Sequence, residues 1–484
     1  MTSGITILGL GPGDPELLTR RAWRLLQKAD RVFVRTADFP AISALSETLE
    51  IQSFDSLAER ADAQDDLPDI IADALLKEAG SAREVLYAVP GDPMIGDSSV
   101  SRLRAKASAE KVPLTIVPGI SFLEPCLDLL GLDVLDGLQV VDAIALSDAH
   151  HPRLQADLPS LLARMTSQEA AVCVKRALMN QYPEDHPLTL LHAAGTADAK
   201  VQQVPLHALA QAEMIDYQTV VYVPALAPDT GFESFRETVA HLRAPDGCPW
   251  DREQTHESLR MHMLEECYEV LQAIDEQDLD GLCEELGDLL LQIVLQTQIA
   301  TEQGSFMMAD VLAGINAKLK RRHPHVFGDL AVEDVDQVLV NWEALKAQER
   351  ETAGAGKGAM DGVPRGLPAL AQADELQSRA ARVGFDWQAV KGVREKILEE
   401  LEELQSARDA QEKAAEFGDL LFSLVNYARW MEIDPETVLR TANRRFRERF
   451  RAMESAARSQ GRRLPELSLE EMDDLWEQIK RQHR

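Results

Sequence analysis

The spacings E-E-x-x-E and E-x-x-D constrain this chain more than anything else in it. Glu265-Glu266-Cys267-Tyr268-Glu269 supplies the first and Glu285-Leu286-Gly287-Asp288 the second. Both lie in strongly helical sequence, from Met263 to Ile274 and from Gly281 to Ala300. Residues three apart share a helix face, so Glu266 projects with Glu269 and Glu285 with Asp288. If the two helices pair antiparallel across the turn Asp275–Asp280, the four carboxylates converge. Converging carboxylates repel one another unless a cation sits among them, and such hard oxygen ligands suit Mg²⁺ or Mn²⁺.

The same order returns at Glu399-Glu400-Leu401-Glu402-Glu403 and Glu416-Phe417-Gly418-Asp419. Further on, Asn316, Lys318 and Arg322 match Asn443, Arg445 and Arg449, and a tryptophan follows each set, Trp342 and Trp476. The offset of roughly 130 residues exceeds solenoid periods and indicates duplicated domains, not a repeat array. A Glu-rich helix is usually a solvated face. Two features point instead to a built site. Apolar residues flank the acids (Met263, Leu264, Val270, Leu271; Leu289, Leu290, Leu291, Ile293), and the whole acid-then-basic order recurs.

The chain has 484 residues with 45% hydrophobic content, room for about two to four domains with sizeable cores. A formal net charge of −31 argues against nonspecific nucleic-acid binding, which needs a basic surface. It leaves room for a single nucleotide whose phosphates meet a metal and a few local cations. The five cysteines form no C-x-x-C pair, which disfavours a disulfide framework or zinc ribbon and fits a reducing cytoplasm. His323-Pro324-His325 predicts a helix-end cap, because Pro324 breaks the helix. The first residues carry no signal-peptide pattern, and no apolar run reaches transmembrane length, so a cytoplasmic chain without a membrane partner is expected.

Ahead of the acidic region the pattern changes. Ile5–Leu10, Arg31–Val34, Glu84–Val89 and Leu114–Val117 read as strands, with a helix expected from Glu16 to Ala29. Strands alternating with helices indicate an α/β domain with a largely parallel sheet. Ligands bind off the carboxyl ends of such strands. Three of these ends carry Gly/Pro turns: Gly9-Leu10-Gly11-Pro12-Gly13-Asp14-Pro15, Pro90-Gly91-Asp92-Pro93 and Pro118-Gly119-Ile120-Ser121. Asp14 stands where G-x-G-x-x-G needs its last glycine, which disfavours a dinucleotide site. Ala227–Gly231 reads as a linker and Phe235–Leu242 as a helix. Arg243–Asp251 reads as a turn-rich loop pinned into the core by Trp250. Glu351–Pro368 reads as a Gly-rich, flexible connector. Helices are expected over Leu370–Val383, Lys396–Ala407, Lys413–Met431, Glu436–Ala457 and Leu469–Gln482.

The three front loops together resemble the tetrapyrrole (corrin/porphyrin) methylases, which use S-adenosylmethionine. The resemblance covers residues 5 to about 226. It implies two α/β lobes with the cofactor between them, lined by Pro12, Gly91, Asp92, Ser121 and Phe122. It also implies second-lobe strands at Leu138–Ala145, Ala171–Lys175 and Thr219–Leu226. Pro90 stands where the corrin and sirohaem enzymes usually carry a second glycine. Residues from about 233 onward resemble the MazG nucleoside triphosphate pyrophosphohydrolases. The matching stretches are Gly247–Asp251, Leu264–Glu269, Glu285–Leu290 and Arg321–Phe327. A methylase-like domain ahead of MazG resembles the YabN-type arrangement. The implied fold class is multidomain: a two-lobed α/β domain over 1–228, then two all-α MazG-like domains over 233–350 and 366–484.

The MazG resemblance implies Mg²⁺-dependent cleavage of the α–β bond of a nucleoside triphosphate, giving a monophosphate and pyrophosphate. By motif position Glu400, Glu403, Glu416 and Asp419 would bind the metal and carry catalysis. Glu266, Glu269, Glu285 and Asp288 form the equivalent metal site of the first copy. Asn443, Arg445 and Arg449 would face the triphosphate and Trp476 the base, with Lys413 near the basic position before E-x-x-D. A homodimer is implied, because a small helical unit leaves much apolar surface uncovered. Two other readings stay open at this point. One is an S-adenosylmethionine-dependent methyltransferase with the helical domains as a dimer scaffold. The other is a nucleotide sensor without turnover.

Overall fold

Two five-stranded sheets organise the front half of the chain. The computed structural model describes residues 4–45, 47–58, 67–81, 84–332, 334–335, 337–338, 341–342, 345, 358–364 and 366–482. Part of the Gly-rich connector (351–357 and 365), and the expected domain ends at 350 and 484, lie outside the described residues. The chain divides into two compact units, Met1–Arg252 and Glu253–Arg484.

The first sheet holds β1 (Ile5–Gly9), β2 (Arg31–Val34), β3 (Glu50–Ser53), β4 (Val85–Val89) and β5 (Leu114–Val117) in the order β3-β2-β4-β1-β5. Every pairing is parallel, with Ile7 opposite Tyr87 on one side and Ile116 on the other. Side chains alternate across a strand, so Ile5 and Ile7 enter one core with Tyr87 and Leu75, while Leu8 enters another with Ala22, Leu26 and Ala88. Helices cover both faces, as an all-parallel sheet requires. They include α1 (Arg20–Leu26), α2 (Leu67–Ala79) and α3 (Ser98–Glu110). The helix expected from Glu16 to Ala29 is shorter. A 3₁₀ turn spans Pro15–Leu17, and Thr19 caps α1 by accepting from Ala22 N at 3.3 Å.

The second sheet holds β6 (Gln139–Asp142), β7 (Ser160–Ala163), β8 (Pro187–His192), β9 (Lys200–Pro205) and β10 (Thr219–Val223), in the order β6-β7-β10-β8-β9. Only β6 and β7 pair in parallel. Between the lobes runs α4 (Leu123–Leu130). The strand expected at Ala171–Lys175 is a helix, α5 (Gln168–Leu178). Ser167 caps it by accepting from Ala170 N, and Ala171, Val174, Ala177 and Leu178 face the core at helical spacing. Leu138–Ala145 contains the short β6 and then turns helical at Ala143, and Thr219–Leu226 shortens to β10. Beyond the expected linker, α6 (Phe232–Arg243) is tied down, because Ser234 Oγ donates to Asp157 Oδ2. Trp250 does not pin the following loop into the core: it is 55% exposed. Backbone and arginine bonds close that loop, Cys248 N to Leu242 O at 2.8 Å and Arg252 Nη1 to Pro245 O at 2.9 Å.

The second unit is helical throughout its described elements. Its first copy contains α7 (Arg260–Glu276), α8 (Leu279–Glu302) and α9 (Met308–Arg322). Its second contains α10 (Ala369–Arg382), α11 (Val390–Ser406), α12 (Ala410–Trp430), α13 (Pro435–Ser459) and α14 (Leu469–Gln482). Aspartates set the starts: Asp278 accepts from Gly281 N at 3.0 Å and Asp409 from Gln411 N at 2.8 Å. The short connections they end fold α7 back on α8 and α11 back on α12, and each pair packs along its length. Gln377 on α10 donates to Phe422 O on α12 at 2.8 Å. His323 caps the end of α9, its Nδ1 lying 2.7 Å from Leu319 O. Among the described residues no helix is long and apolar enough to cross a membrane.

Candidate functional site

The duplicated helix pairs each gather three carboxylates. Oxygens of Glu266, Glu285 and Asp288 lie within 4.8 Å of one another, and so do oxygens of Glu400, Glu416 and Asp419. The i,i+3 spacing puts Glu285 over Asp288 and Glu416 over Asp419. The facing helix then delivers Glu266 or Glu400. Glu269 and Glu403 are not members of these threes, although their charges act on Glu285 and Glu416. Burial, then the charges of Asp288, Glu269 and Glu285, raises the Glu266 carboxyl above its ordinary value. Burial and neighbouring acids raise Glu285 and Glu416 in the same way. A group of anions that resist ionising together is one whose charge a cation would relieve.

Spacing agrees with that reading. Three oxygens no more than 4.8 Å apart surround a point at most about 2.8 Å from each, a small side-chain movement from the ~2.1 Å that Mg²⁺ prefers. The two clusters differ in one respect. Glu400 is only 4% exposed, and Lys396 Nζ lies 2.8 Å from its Oε1 and 2.8 Å from Glu399 Oε1. The matching position before Glu266 is His262, whose Nδ1 sits 3.8 Å from Glu265. Sequence reasoning passed over Lys396, though its signal, a cation one helical turn before the buried acid, was there to read.

The front unit presents a different kind of site. The loops leaving β1, β4 and β5 cross so closely that a Cβ on Gly9 or on Gly119 would lie 2.3 Å from Gly91 O. Gly91 itself has φ +68°, and Gly91 N donates to Gly11 O at 2.7 Å. Asp92 ties the crossing, accepting from Gly119 N at 3.0 Å and Met94 N at 2.8 Å. Ser121, fully buried, donates to Glu124 Oε2 at 2.5 Å. Above these loops opens a cleft of about 550 Å³ whose walls include Pro12, Gly91, Asp92, Ser121 and Phe122, the five residues picked from the motifs. The second lobe adds Arg164, Ala193, Tyr217, Gln218 and Val220. These the motifs did not reveal, because they lie just after β7 and β8 and at the start of β10 rather than in a glycine-rich signature.

Comparison with known proteins follows the same division. The family model for tetrapyrrole (corrin/porphyrin) methylases matches residues 4–210. That for the MazG nucleotide pyrophosphohydrolase domain matches 254–327, and that for phosphoribosyl-ATP pyrophosphohydrolase matches 374–446. The YabN protein of Bacillus subtilis is 42% identical over the whole of both chains. The nucleoside triphosphate pyrophosphohydrolase/pyrophosphatase MazG of Thermotoga maritima is 49% identical, covering 51% of this chain and 95% of its own. The chain belongs to the MazG family, in its YabN-type form. The nucleoside triphosphate pyrophosphohydrolase of Escherichia coli, 44% identical over 50% of this chain and 94% of its own, places the same half in that family.

In this MazG chain the remaining predicted residues do not reach the carboxylates. Asn443 and Arg445 are exposed on α13, and Lys413 is exposed one turn before Glu416. Among the described residues no hydrogen bond or ion pair links Asn443, Arg445, Arg449 or Lys413 to the acid cluster. Helix α13 packs mainly on α14 and touches α12 only slightly. Two features lie along it. Among the described residues Arg449 Nε is buried without a hydrogen-bond partner, and Trp476 on α14 lies against Phe446 with ring centroids 5.3 Å apart.

Proposed function

We propose that the helical half hydrolyses nucleoside triphosphates at the α–β bond, releasing a nucleoside monophosphate and pyrophosphate. The observation that carries this reading is the pair of carboxylate threes at equivalent positions of two helix hairpins. Glu400, Glu416 and Asp419, with Glu403 beside them, would hold Mg²⁺ or Mn²⁺ in the second copy. Glu266, Glu285 and Asp288, with Glu269, would do so in the first. A divalent ion there supplies neutralisation of polyphosphate charge, which carboxylates cannot.

The chain's own groups divide the remaining work. Arg449 offers an unspent guanidinium N–H to a phosphate oxygen, and exposed Arg445 and Asn443 add donors along the same helix. Trp476 and Phe446 form an aromatic surface on which a base can stack. Glu403, exposed beside Glu416, is placed to accept a proton from the attacking water. With pyrophosphate as the leaving group, positioning and electrostatics dominate.

A second copy of the chain completes this arrangement. Helix α8 leaves Leu286, Leu290 and Ile293 exposed, and α12 leaves Phe417, Leu421 and Leu424 exposed. Each set runs at i, i+4, i+7, one stripe per copy at matching positions. Such stripes support pairing of hairpins between chains. For the front unit, the cleft volume falls in the range of small-molecule sites, and the motif residues on its wall support S-adenosylmethionine binding. A panel of canonical and damaged triphosphates with Mg²⁺, scored for monophosphate and pyrophosphate, tests the hydrolase reading. Mg²⁺-dependent pyrophosphate release is expected, lost when Glu400→Ala and Glu266→Ala are combined. Phosphate release in place of pyrophosphate, or full activity in the double variant, overturns it.

A further inference from the structure

The two acid threes are built from the same residue types but do not have the same neighbours. About one helical turn before the acid that the first helix of each hairpin delivers stands Lys396 in the second copy and His262 in the first. Lys396 Nζ lies 2.8 Å from Glu400 Oε1 and 2.8 Å from Glu399 Oε1. Glu400 is buried, and a buried carboxylate is costly unless another charge answers it. The lysine ammonium is that charge. The Lys396 side chain is 34% exposed, so it can turn into water, but only by giving up its bond to Glu400. The first copy lacks such a pairing. His262 Nδ1 lies near Glu265, at 3.8 Å, not against Glu266. Among the described residues no ion pair reaches Glu266, Glu285 or Asp288, and Glu266 is only half-buried.

We infer that the two copies of the helical domain take up a divalent ion in a fixed order: the first copy fills on free metal, and Lys396 holds the second copy back. Three carboxylates with no counter-cation gain most from a divalent ion, which relieves the whole of their mutual repulsion. In the second copy one positive charge already stands among the acids. An ion entering there either meets the ammonium as a like charge or displaces it, and both weaken binding. Displacement forfeits one charge-assisted hydrogen bond to a buried oxygen, a loss on the scale of about tenfold in affinity. The second bond, to exposed Glu399, adds little. Lysine suits this role, because it is a compact charge on a flexible stem. At a metal concentration between the two affinities the chain carries one ion, in the first copy.

This order rests on the acid threes being metal sites, and one titration separates the two claims. Free Mn²⁺ is followed by electron paramagnetic resonance as it is added to the full chain without nucleotide, at about pH 8, above the ordinary carboxylate range. Two sites per chain are expected, differing about tenfold or more in Kd. Glu266→Gln should remove the tighter and Glu400→Gln the weaker. Lys396→Met keeps the stem and drops the charge, and should tighten the weaker site by about tenfold. Lys391→Met, whose partner Glu395 lies outside the three, should change neither. His262→Lys should weaken the tighter site. Equal affinities in wild type, loss of the tighter site in E400Q, or a second site that is unchanged or weaker in K396M overturns the order and leaves the metal sites standing. So does an equal gain in K391M. Absence of bound Mn²⁺ from both copies overturns the metal sites and the order with them.

Discussion

Glu400→Gln is the most searching change to make in the helical half. The substitution keeps shape and removes one charge from a side chain that is 4% exposed. At about 2.8 Å from a divalent ion and an effective dielectric near 20, that charge contributes a gross attraction of about 12 kcal/mol. Its removal also relieves repulsion with two neighbouring carboxylates up to 4.8 Å away, which cancels rather more than half. Water at exposed Asp419 screens what is left, so a net loss of about 3–4 kcal/mol is expected, a 100- to 1,000-fold weaker metal site. Titration of the full chain with Mn²⁺ without nucleotide reads this directly. Wild type should show two sites per chain and E400Q one. Glu399→Gln is the control: it removes another partner of Lys396 but no member of the three, and should keep both sites. Two sites of near wild-type affinity in E400Q, or an equal loss in E399Q, would refute the assignment.

Other changes probe other parts. Arg449→Ala should raise KM for the triphosphate by about 10- to 100-fold, the scale of a lost charge-assisted bond. It should leave the thermal midpoint in place, because its Nε has no hydrogen-bond partner among the described residues; an unchanged KM counts against its role. Phe417→Glu should shift the chain toward monomer in sedimentation, and an unaltered dimer would show that the α12 stripe is not the interface. The Arg462 fork on Glu471, at 2.7 and 3.2 Å, with the Ser468 amide holds that carboxyl down at about 2. Its stabilisation is therefore full above the unfolded value of about 4.3 and lost as pH falls toward 2. Glu471→Gln should flatten the fall of the thermal midpoint across that window, and a slope equal to wild type would discount the fork.

What the sequence reveals about this chain follows from how locally each feature is encoded. Helices α7, α8, α11 and α12 were legible because acids at i,i+3 and apolar neighbours share a 3.6-residue period, and only their ends moved. The front loops were legible because close backbone crossings at Gly9 and Gly119 admit no side chain and Gly91 holds φ +68°. Ala171–Lys175 was misread because a short apolar run with two valines looks alike in strand and helix. The discriminating signal lay outside the run, in Ser167 and the spacing to Leu178. Trp250 was misplaced for a related reason: a large aromatic in a turn suggests an anchor, but arginine-to-carbonyl bonds close that loop and leave the indole exposed. The spacing of Asn443, Arg445 and Arg449 says which helix face they occupy and nothing about what that face meets. Helix α13 in fact reaches toward the other copy: Arg444 donates to Asp275 O at the end of α7, and Arg440 Nη2 lies 4.0 Å from Asp275 Oδ2. The helix that bears the proposed triphosphate donors is thus clipped to the helix that bears Glu266. A nucleotide drawing Arg445 and Arg449 toward either acid cluster must therefore keep or break a contact between the two copies.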